Sequence, residues 1–182
     1  MTEFYSRAIV IGREEVGEMD SIIHLFTEKY GKVVARARSL RKITSKSSAH
    51  LQLLQFVQIR FVSSKKGGGF IIMDVLWDED IPQVSPQTRG VLLPIVRALD
   101  ALLGEAQVES QLWTLLETAC KEPYAGHDVA RVMLHILGFN PEHATCRVCG
   151  KKPVHGFVVG SDRFICASCT SQLPTDALVL EI

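Results

Sequence analysis

The chain contains 182 residues, of which 47% are hydrophobic, and its 20 basic and 20 acidic residues give a formal net charge of zero. This composition is typical of a globular chain with one or two domains and excludes an intrinsically disordered one. No run of about 18 consecutive apolar residues occurs, and the N-terminal residues lack the basic and apolar regions of a secretory signal peptide. We therefore expect a cytoplasmic protein without a membrane span.

Five short β-strands are predicted in the first 80 residues. They cover residues 4–11, 21–27, 32–38, 53–62 and 70–77, where apolar side chains alternate or cluster between turn signals. Gly12 is expected to end the first strand, and a loop rich in Ser and Lys is expected from Ser39 to about His50. Five strands joined by turns suggest a small barrel or sandwich, and a five-stranded Greek-key barrel of the OB type is one natural closure.

The hydrophobic period changes to 3.6 residues after a linker that contains Pro82 and Pro86. Three apolar stripes at the helical period follow, within residues 91–103, 112–119 and 128–137. Gly138 is placed to cap the third helix at its C-terminus. The sequence therefore predicts an α+β protein, with an OB-type barrel at 1–80 and a helical domain at 85–142.

Four cysteines form the most specific motif of the chain. Two C-x-x-C pairs, Cys146/Cys149 and Cys166/Cys169, are separated by sixteen residues, a spacing typical of a four-thiolate zinc site. Gly150 fits the left-handed residue that the first tight turn needs. Because four thiolates fill a tetrahedron, we expect one structural zinc ion. Iron in a rubredoxin-like site and metal-free thiols remain alternatives.

The zinc-ribbon-like module is placed at residues 143–173, and the tail at 174–182 could start one more helix. His143 and His155 lie near the cysteines but are expected to stay outside the coordination sphere, since four thiolates already complete it. The fifth cysteine, Cys120, falls in a helical stripe and is predicted to be a small buried hydrophobe.

A basic band without any acidic residue runs from Lys29 to Met73. It spans several predicted elements, so it is not one face of a helix. Arg36 and Arg38 project from one side of the third strand, and Lys65 and Lys66 lie in the loop between the fourth and fifth strands. In OB barrels the second and third strands and the hairpin loops form the oligonucleotide face, where cations would follow a phosphate backbone.

The alternative for this band is an ordinary solvated surface. Four aromatic residues of the predicted strands and turns could offer stacking surfaces for bases or belong to the core: Phe26, Tyr30, Phe61 and Phe70.

Five segments of the chain resemble a known protein family in their residues, order and spacing. They are residues 8–11, 17–20, 25–32, 41–46 and 51–52. In these segments the first eighty residues resemble the N-terminal domain of the RecO family of bacterial recombination mediators. The helical middle and the four-cysteine module also lie where that family often carries them, so the resemblance covers nearly the whole chain.

The resemblance implies a protein that binds single- and double-stranded DNA and anneals complementary strands. It also implies that the protein acts with RecR to load recombinase onto strands coated by single-stranded DNA-binding protein. The residues that we expect to contact phosphate are Lys32, Arg36, Arg38, Arg41, Lys42, Lys46, Lys65 and Lys66. Since family members usually continue with further helices, the helical domain could be incomplete at residue 182.

No catalytic motif is present, and we therefore expect a protein that is not an enzyme. Residues 67–69 are three glycines without the following Lys-Ser/Thr of a P-loop, and neither G-x-S-x-G nor H-E-x-x-H occurs. One alternative function is a zinc-containing protein-interaction or assembly module without direct DNA binding. Another is a thiol redox or electron-transfer protein that uses the four cysteines.

Overall fold

A closed five-stranded barrel forms the N-terminal part of the protein. The computed structural model describes residues 2–38, 47–64, 69–80, 84–121 and 126–182. The strands are β1 Glu3–Val16, β2 Asp20–Thr27, β3 Gly31–Ala37, β4 Phe56–Ser63 and β5 Phe70–Trp77. They close in the order β1-β2-β3-β5-β4, where β3 and β5 are parallel and the other neighbours, including β4 and β1, are antiparallel. This closure confirms the predicted OB-type barrel.

One short helix lies between β3 and β4, and the longer helices follow the barrel, as the change of hydrophobic period predicts. Those of the described chain are α1 Ser47–His50, α2 Pro86–Leu102, α3 Ser110–Lys121, α4 Gly126–Ile136 and α5 Ala167–Thr170. Ser85 caps α2, since its hydroxyl accepts a hydrogen bond from the Thr88 N–H at 3.1 Å, and Pro86 occupies the first turn. Gly138 has a φ of +89° just beyond α4, which confirms the predicted C-cap. Within the described residues, no helix is long and apolar enough to span a membrane.

Two predicted boundaries in the barrel region are wrong. β1 continues past Gly12 to Val16, because the register shifts at Ile11, and Gly12 then pairs with His24 of β2. A Cβ at Gly12 would lie 2.6 Å from Asp100 Oδ2 and 2.9 Å from His24 Nδ1. The glycine therefore permits a close approach of α2. The predicted loop up to His50 ends in helix α1, while residues 39–46 lie outside the described residues.

Two hydrophobic cores share the barrel wall. The interior of the barrel is filled by Ala8, Val10, Ile23, Leu25, Val33, Ala35, Ala37, Leu51, Val57, Ile59, Phe61 and Val75. Ile9, Ile11 and Phe26 point outward and join residues of α2, α3 and α4 in the second core. Because successive side chains of a strand face opposite sides, burial on both faces explains the unbroken apolar run at residues 8–11.

A three-stranded sheet forms the C-terminal part of the described chain. It consists of β6 Gly156–Val158, β7 Arg163–Ile165 and β8 Val179–Glu181, in the order β7-β6-β8. The expectation that residues 174–182 begin a helix is wrong, because β8 pairs with β6 through Val158 and Val179. Leu180 and Ile182 are buried in the second core. The alternation of buried and less buried residues fits the two-residue period of a strand.

Candidate metal centre and nucleic-acid interface

The four cysteine thiols of the predicted metal site converge. The sulfur atoms of Cys146, Cys149, Cys166 and Cys169 all lie within 4.8 Å of one another, and Cys149 Sγ is 3.7 Å from Cys166 Sγ. Four sulfurs at about 2.3 Å from one tetrahedral ion would be separated by about 3.8 Å. The group therefore fits a single metal ion, and His143 and His155 are not part of it.

Local backbone geometry positions the two pairs of cysteines. The first pair lies in a turn that closes with a 2.8 Å hydrogen bond from the Gly150 N–H to the Cys146 carbonyl. Gly150 has a φ of +72°, which confirms its predicted left-handed conformation. The second pair opens α5, where the Cys169 N–H donates to the Cys166 carbonyl at 3.0 Å. The β6–β7 hairpin connects the two pairs.

The thiols have unequal acidities. Backbone N–H groups of Cys166 and Cys149 donate to the Cys146 sulfur and lower the pKa of that thiol to about 6. Burial and the neighbouring sulfurs raise the pKa of Cys169 to about 12. Adjacent thiols resist joint ionisation because their negative charges repel each other. A thiophilic cation bound between them would offset this repulsion. Cys120 stands apart in α3, where burial raises the pKa of its thiol to about 12, as the prediction of a buried hydrophobe requires.

Lys32 is bound to the helical domain. Its side chain is 11% exposed, and Nζ lies 2.9 Å from Asp100 Oδ1 and also donates to the Asp100 carbonyl. His24 Nδ1 lies 2.8 Å from the same carboxylate. Because the ammonium is neutralised and mostly buried, it is poorly placed to reach a phosphate. The contacts of Lys32 with Asp100 join β3 to α2.

Arg36 and Arg38 are exposed at the end of β3, as the alternation in this strand predicts. The Arg36 guanidinium is 2.7 Å from Asp20 Oδ2, and its side chain is 50% exposed. An exposed ion pair of this kind contributes only about 0–1 kcal/mol, so a phosphate can compete for the guanidinium. Arg38 has no carboxylate within ion-pairing distance in the described part of the chain.

The other five cations of the predicted interface, Arg41, Lys42, Lys46, Lys65 and Lys66, lie outside the described residues. The described residues that flank them are close together. β3 and β5 are parallel, and Ala35 and Arg36 pair with Phe70 and Ile71. β5 therefore begins beside the C-terminal half of β3, and Gly69 lies next to Val34.

Two of the four aromatic residues considered for base stacking, Phe26 and Phe61, are buried in the core, and Tyr30 and Phe70 are partly buried against it. Phe26 and Phe61 are 1% and 0% exposed. The Phe61 ring lies 5.8 Å from that of Tyr30 and 5.2 Å from that of Phe70, and Phe4 completes this cluster inside the barrel. The aromatic cluster stabilises the barrel and leaves base stacking to other residues.

Comparison with known proteins finds similarity to one family. A family model described as Recombination protein O N terminal matches residues 1–72. Three curated relatives carry the name DNA repair protein RecO. The protein of Streptomyces coelicolor is 27% identical over 93% of this chain and 75% of its own length. Those of Desulfitobacterium hafniense and Thermodesulfovibrio yellowstonii are 26% and 28% identical over 94% and 98% of this chain, and 66% and 75% of their own lengths.

The chain is similar to the RecO proteins over more than nine tenths of its length, and its residues 1–72 match the N-terminal family model. The matches indicate a DNA repair and recombination protein, and the four-sulfur group agrees with the zinc module that the resemblance implies. The chain spans about two thirds to three quarters of the length of these RecO relatives.

Sequence reasoning missed an exposed apolar cluster on the barrel. Tyr5, Met73 and Leu76 are 55%, 49% and 65% exposed. They line a cleft of about 660 Å³ between β1, β4 and β5. Residues 70–73 of β5 are all apolar, so the sequence does not indicate which of their side chains face outward. A two-residue period at 72–77 would have singled out Leu76.

Ion pairs also neutralise other arginines of the barrel, which the sequence did not reveal. Arg7 Nε lies 2.6 Å from the buried Asp78 carboxylate, and its Nη2 lies 3.3 Å from Glu117. Arg60 Nε lies 2.7 Å from Asp74. The described barrel therefore presents fewer free cations than its basic sequence suggests.

Proposed function

We propose that this chain is a RecO-family, DNA-binding recombination mediator without catalytic turnover. It anneals complementary strands and helps RecR to load recombinase onto DNA coated by single-stranded DNA-binding protein. Its targets are single- and double-stranded DNA, and it acts in the cytoplasm. The observation that carries the proposal is the closed OB barrel with Arg36 and Arg38 exposed at the C-terminal end of β3, beside which β5 begins.

Annealing follows from charge. Two complementary strands repel each other through their phosphates, and a cationic surface that neutralises phosphates releases counterions and brings the strands together. With Lys32 engaged by Asp100, seven cations of the predicted interface remain: Arg36, Arg38, Arg41, Lys42, Lys46, Lys65 and Lys66. If each neutralises one phosphate, the logarithm of affinity for a single strand falls with the logarithm of salt at a slope of about −5.

We also propose that the four cysteines hold one structural zinc ion. When bound, zinc supplies four metal–sulfur bonds that stabilise the fold and leaves no position open for substrate. The convergence of the four sulfurs supports this proposal. The residues of this chain would fix the site through the Gly150 turn, the N-terminus of α5 and the β6–β7 hairpin.

An annealing assay tests the main proposal. Arg36→Gln with Arg38→Gln removes two cations of the described interface, and Arg97→Gln with Arg131→Gln removes the same charge from exposed helix positions. We expect the first pair to slow annealing and to reduce the salt slope by about 1.4, and the control pair to change neither. Adding Arg41→Gln and Lys42→Gln should double the loss. Equal behaviour of the barrel variants and the control would reject the proposed interface.

The exposed cluster of Tyr5, Met73 and Leu76 favours a second candidate function, a protein-interaction module. Contiguous exposed apolar side chains beside a cleft mark docking surfaces. Tyr5→Ser with Leu76→Ser would then abolish binding of purified RecR while DNA affinity stays unchanged. A chain that binds RecR but no oligonucleotide at low salt would establish this second function in place of the first.

A further inference from the structure

A second set of free cations lies on the cysteine module. Arg147, from the turn between the first two cysteines, and Arg163, from the start of β7, line one open cleft of about 540 Å³. The cleft also contains one acidic residue, Asp162. Its other hydrogen-bonding side chains are Asn140, His143, Thr145 and Ser161.

The fold of the module brings the two arginines together. The Arg147 N–H donates to the Phe164 carbonyl at 2.9 Å, which joins the first cysteine turn to β7. Arg163 pairs with Val158 at the end of the β6–β7 hairpin, next to the turn where Asp162 adopts a φ of +52°. The position of both guanidinium groups therefore depends on the same structure that brings the cysteines together.

The arginines of this cleft are not neutralised, unlike three arginines of the barrel. Arg147 and Arg163 are exposed, and no carboxylate in the described part of the chain is within ion-pairing distance of either. Arg7, Arg36 and Arg60, by contrast, each pair with at least one carboxylate. The side chains of Asn140, Thr145 and Ser161 make no hydrogen bond to another described residue, so their polar groups are available to a ligand.

The chemistry of the cleft matches a phosphodiester. Guanidinium groups bind phosphate oxygens through two parallel hydrogen bonds, and Arg, Asn, Ser and Thr side chains are among those that contact nucleic-acid backbones. Four thiolates around a divalent ion would leave a charge of about −2 within the module. That charge weakens attraction at long range, so recognition in the cleft depends on direct contacts.

We propose that the cysteine module carries a second binding site for the nucleic-acid backbone, centred on Arg147 and Arg163. The inference rests on the proposed DNA binding and adds to it a site that the barrel does not supply. With two sites on one chain, a strand held at the barrel raises the effective concentration of DNA at the module. The same arrangement would allow the two sites to hold different strands.

The test measures binding of a fluorescein-labelled oligothymidylate to the full, metal-containing chain at several salt concentrations. Arg147→Gln with Arg163→Gln should weaken binding about 10-fold and reduce the salt slope by about 1.4, because two phosphate contacts are lost. Arg97→Gln with Arg131→Gln is the matched control, with the same loss of charge on exposed helix positions, and should leave both values unchanged.

A variant that retains charge guards against misfolding, since Arg147 adjoins a cysteine of the metal site. Arg147→Lys with Arg163→Lys should keep the wild-type salt slope and metal content while affinity falls by a smaller factor, because lysine does not form the paired hydrogen bonds. Affinity and slope in the Gln variant equal to the control would overturn the inference. A Gln variant that binds oligothymidylate normally but no longer binds an acidic peptide would also overturn the inference.

The two proposals fail in different ways. If the wild-type chain binds no oligonucleotide at low salt, the proposed function fails and this inference falls with it. If the wild type binds and Arg36→Gln with Arg38→Gln weakens binding, but the cleft variants do not, the second site alone is refuted.

Discussion

Replacing Lys32 by methionine separates a structural role from a DNA-binding role. The ammonium is 11% exposed and lies 2.9 Å from an Asp100 carboxylate that is itself 22% exposed. Breaking a fully buried ion pair destabilises a protein by about 3–5 kcal/mol. Here the remaining exposure and the contact of His24 with the same carboxylate reduce the effect, and we expect a loss of about 2 kcal/mol. For a chain of this length the melting temperature falls by about 4–8 °C.

Thermal melting followed by circular dichroism measures the first effect, and oligonucleotide binding at several salt concentrations measures the second. Lys32→Met should lower the melting temperature and leave the salt slope unchanged. Lys121→Met, which removes an exposed partner of Glu117 at 2.9 Å, is the control and should cost about 0.3–0.5 kcal/mol. An unchanged melting temperature together with a salt slope reduced by about 0.7 would refute the structural role and restore Lys32 to the DNA interface.

Three further perturbations test the fold and the metal centre. Gly31→Ala should destabilise the chain by more than about 2 kcal/mol in chemical denaturation, since Gly31 has a φ of +67° and its Cβ would lie 2.1 Å from the Gln107 carbonyl oxygen. Gly17→Ala, with a φ of +62° and open space around it, carries only the backbone strain of about 1 kcal/mol, so equal losses would contradict the predicted clash. The hydrogen bond from Lys121 lowers the pKa of Glu117 below 4.5. The ionised carboxylate therefore stabilises the fold above that pH, and this stability is lost as the pH falls through the lowered pKa. Glu117→Gln should reduce the loss of stability at acid pH, and an unchanged dependence of stability on pH would contradict the assignment. Chelation should release one zinc ion per chain by mass spectrometry and lower the melting temperature, because metal binding supplies folding free energy; a metal-free chain with unchanged melting would refute a structural metal.

The sequence predicts those features that depend on local periodicity and spacing. The two-residue period at 32–38 placed Val33, Ala35 and Ala37 inside the barrel, and all three are buried. The cysteine spacing predicted the sulfur cluster for the same reason, since each C-x-x-C pair forms within one turn. β8 escaped prediction because a strand of three residues depends on its partner β6. The prediction that Gly12 ends the first strand was wrong, because this glycine permits a contact with α2, which is far away in sequence.

The sequence alone did not predict which cations of the basic band are neutralised. No acidic residue occurs from Lys29 to Met73, yet folding brings carboxylates to the cations of this band from outside it. Asp20 reaches Arg36 from the neighbouring strand, and Asp100 reaches Lys32 from α2. The register of β2 against β3 and the packing of α2 decide these pairs, and neither is visible in composition.

The degree of burial of each ion pair decides which cations remain available to DNA. Phosphate can displace Asp20 from Arg36, because that pair is solvated and worth little, whereas displacing Asp100 from Lys32 would leave a carboxylate unpaired in a mostly buried position. Affinity should therefore come from Arg36, Arg38, Arg147 and Arg163 among the described residues, and in each case through exposed groups. Because contacts of this kind are strongly screened by salt, a chain that binds DNA with little dependence on salt would require a different interface, one in which apolar or stacking contacts predominate.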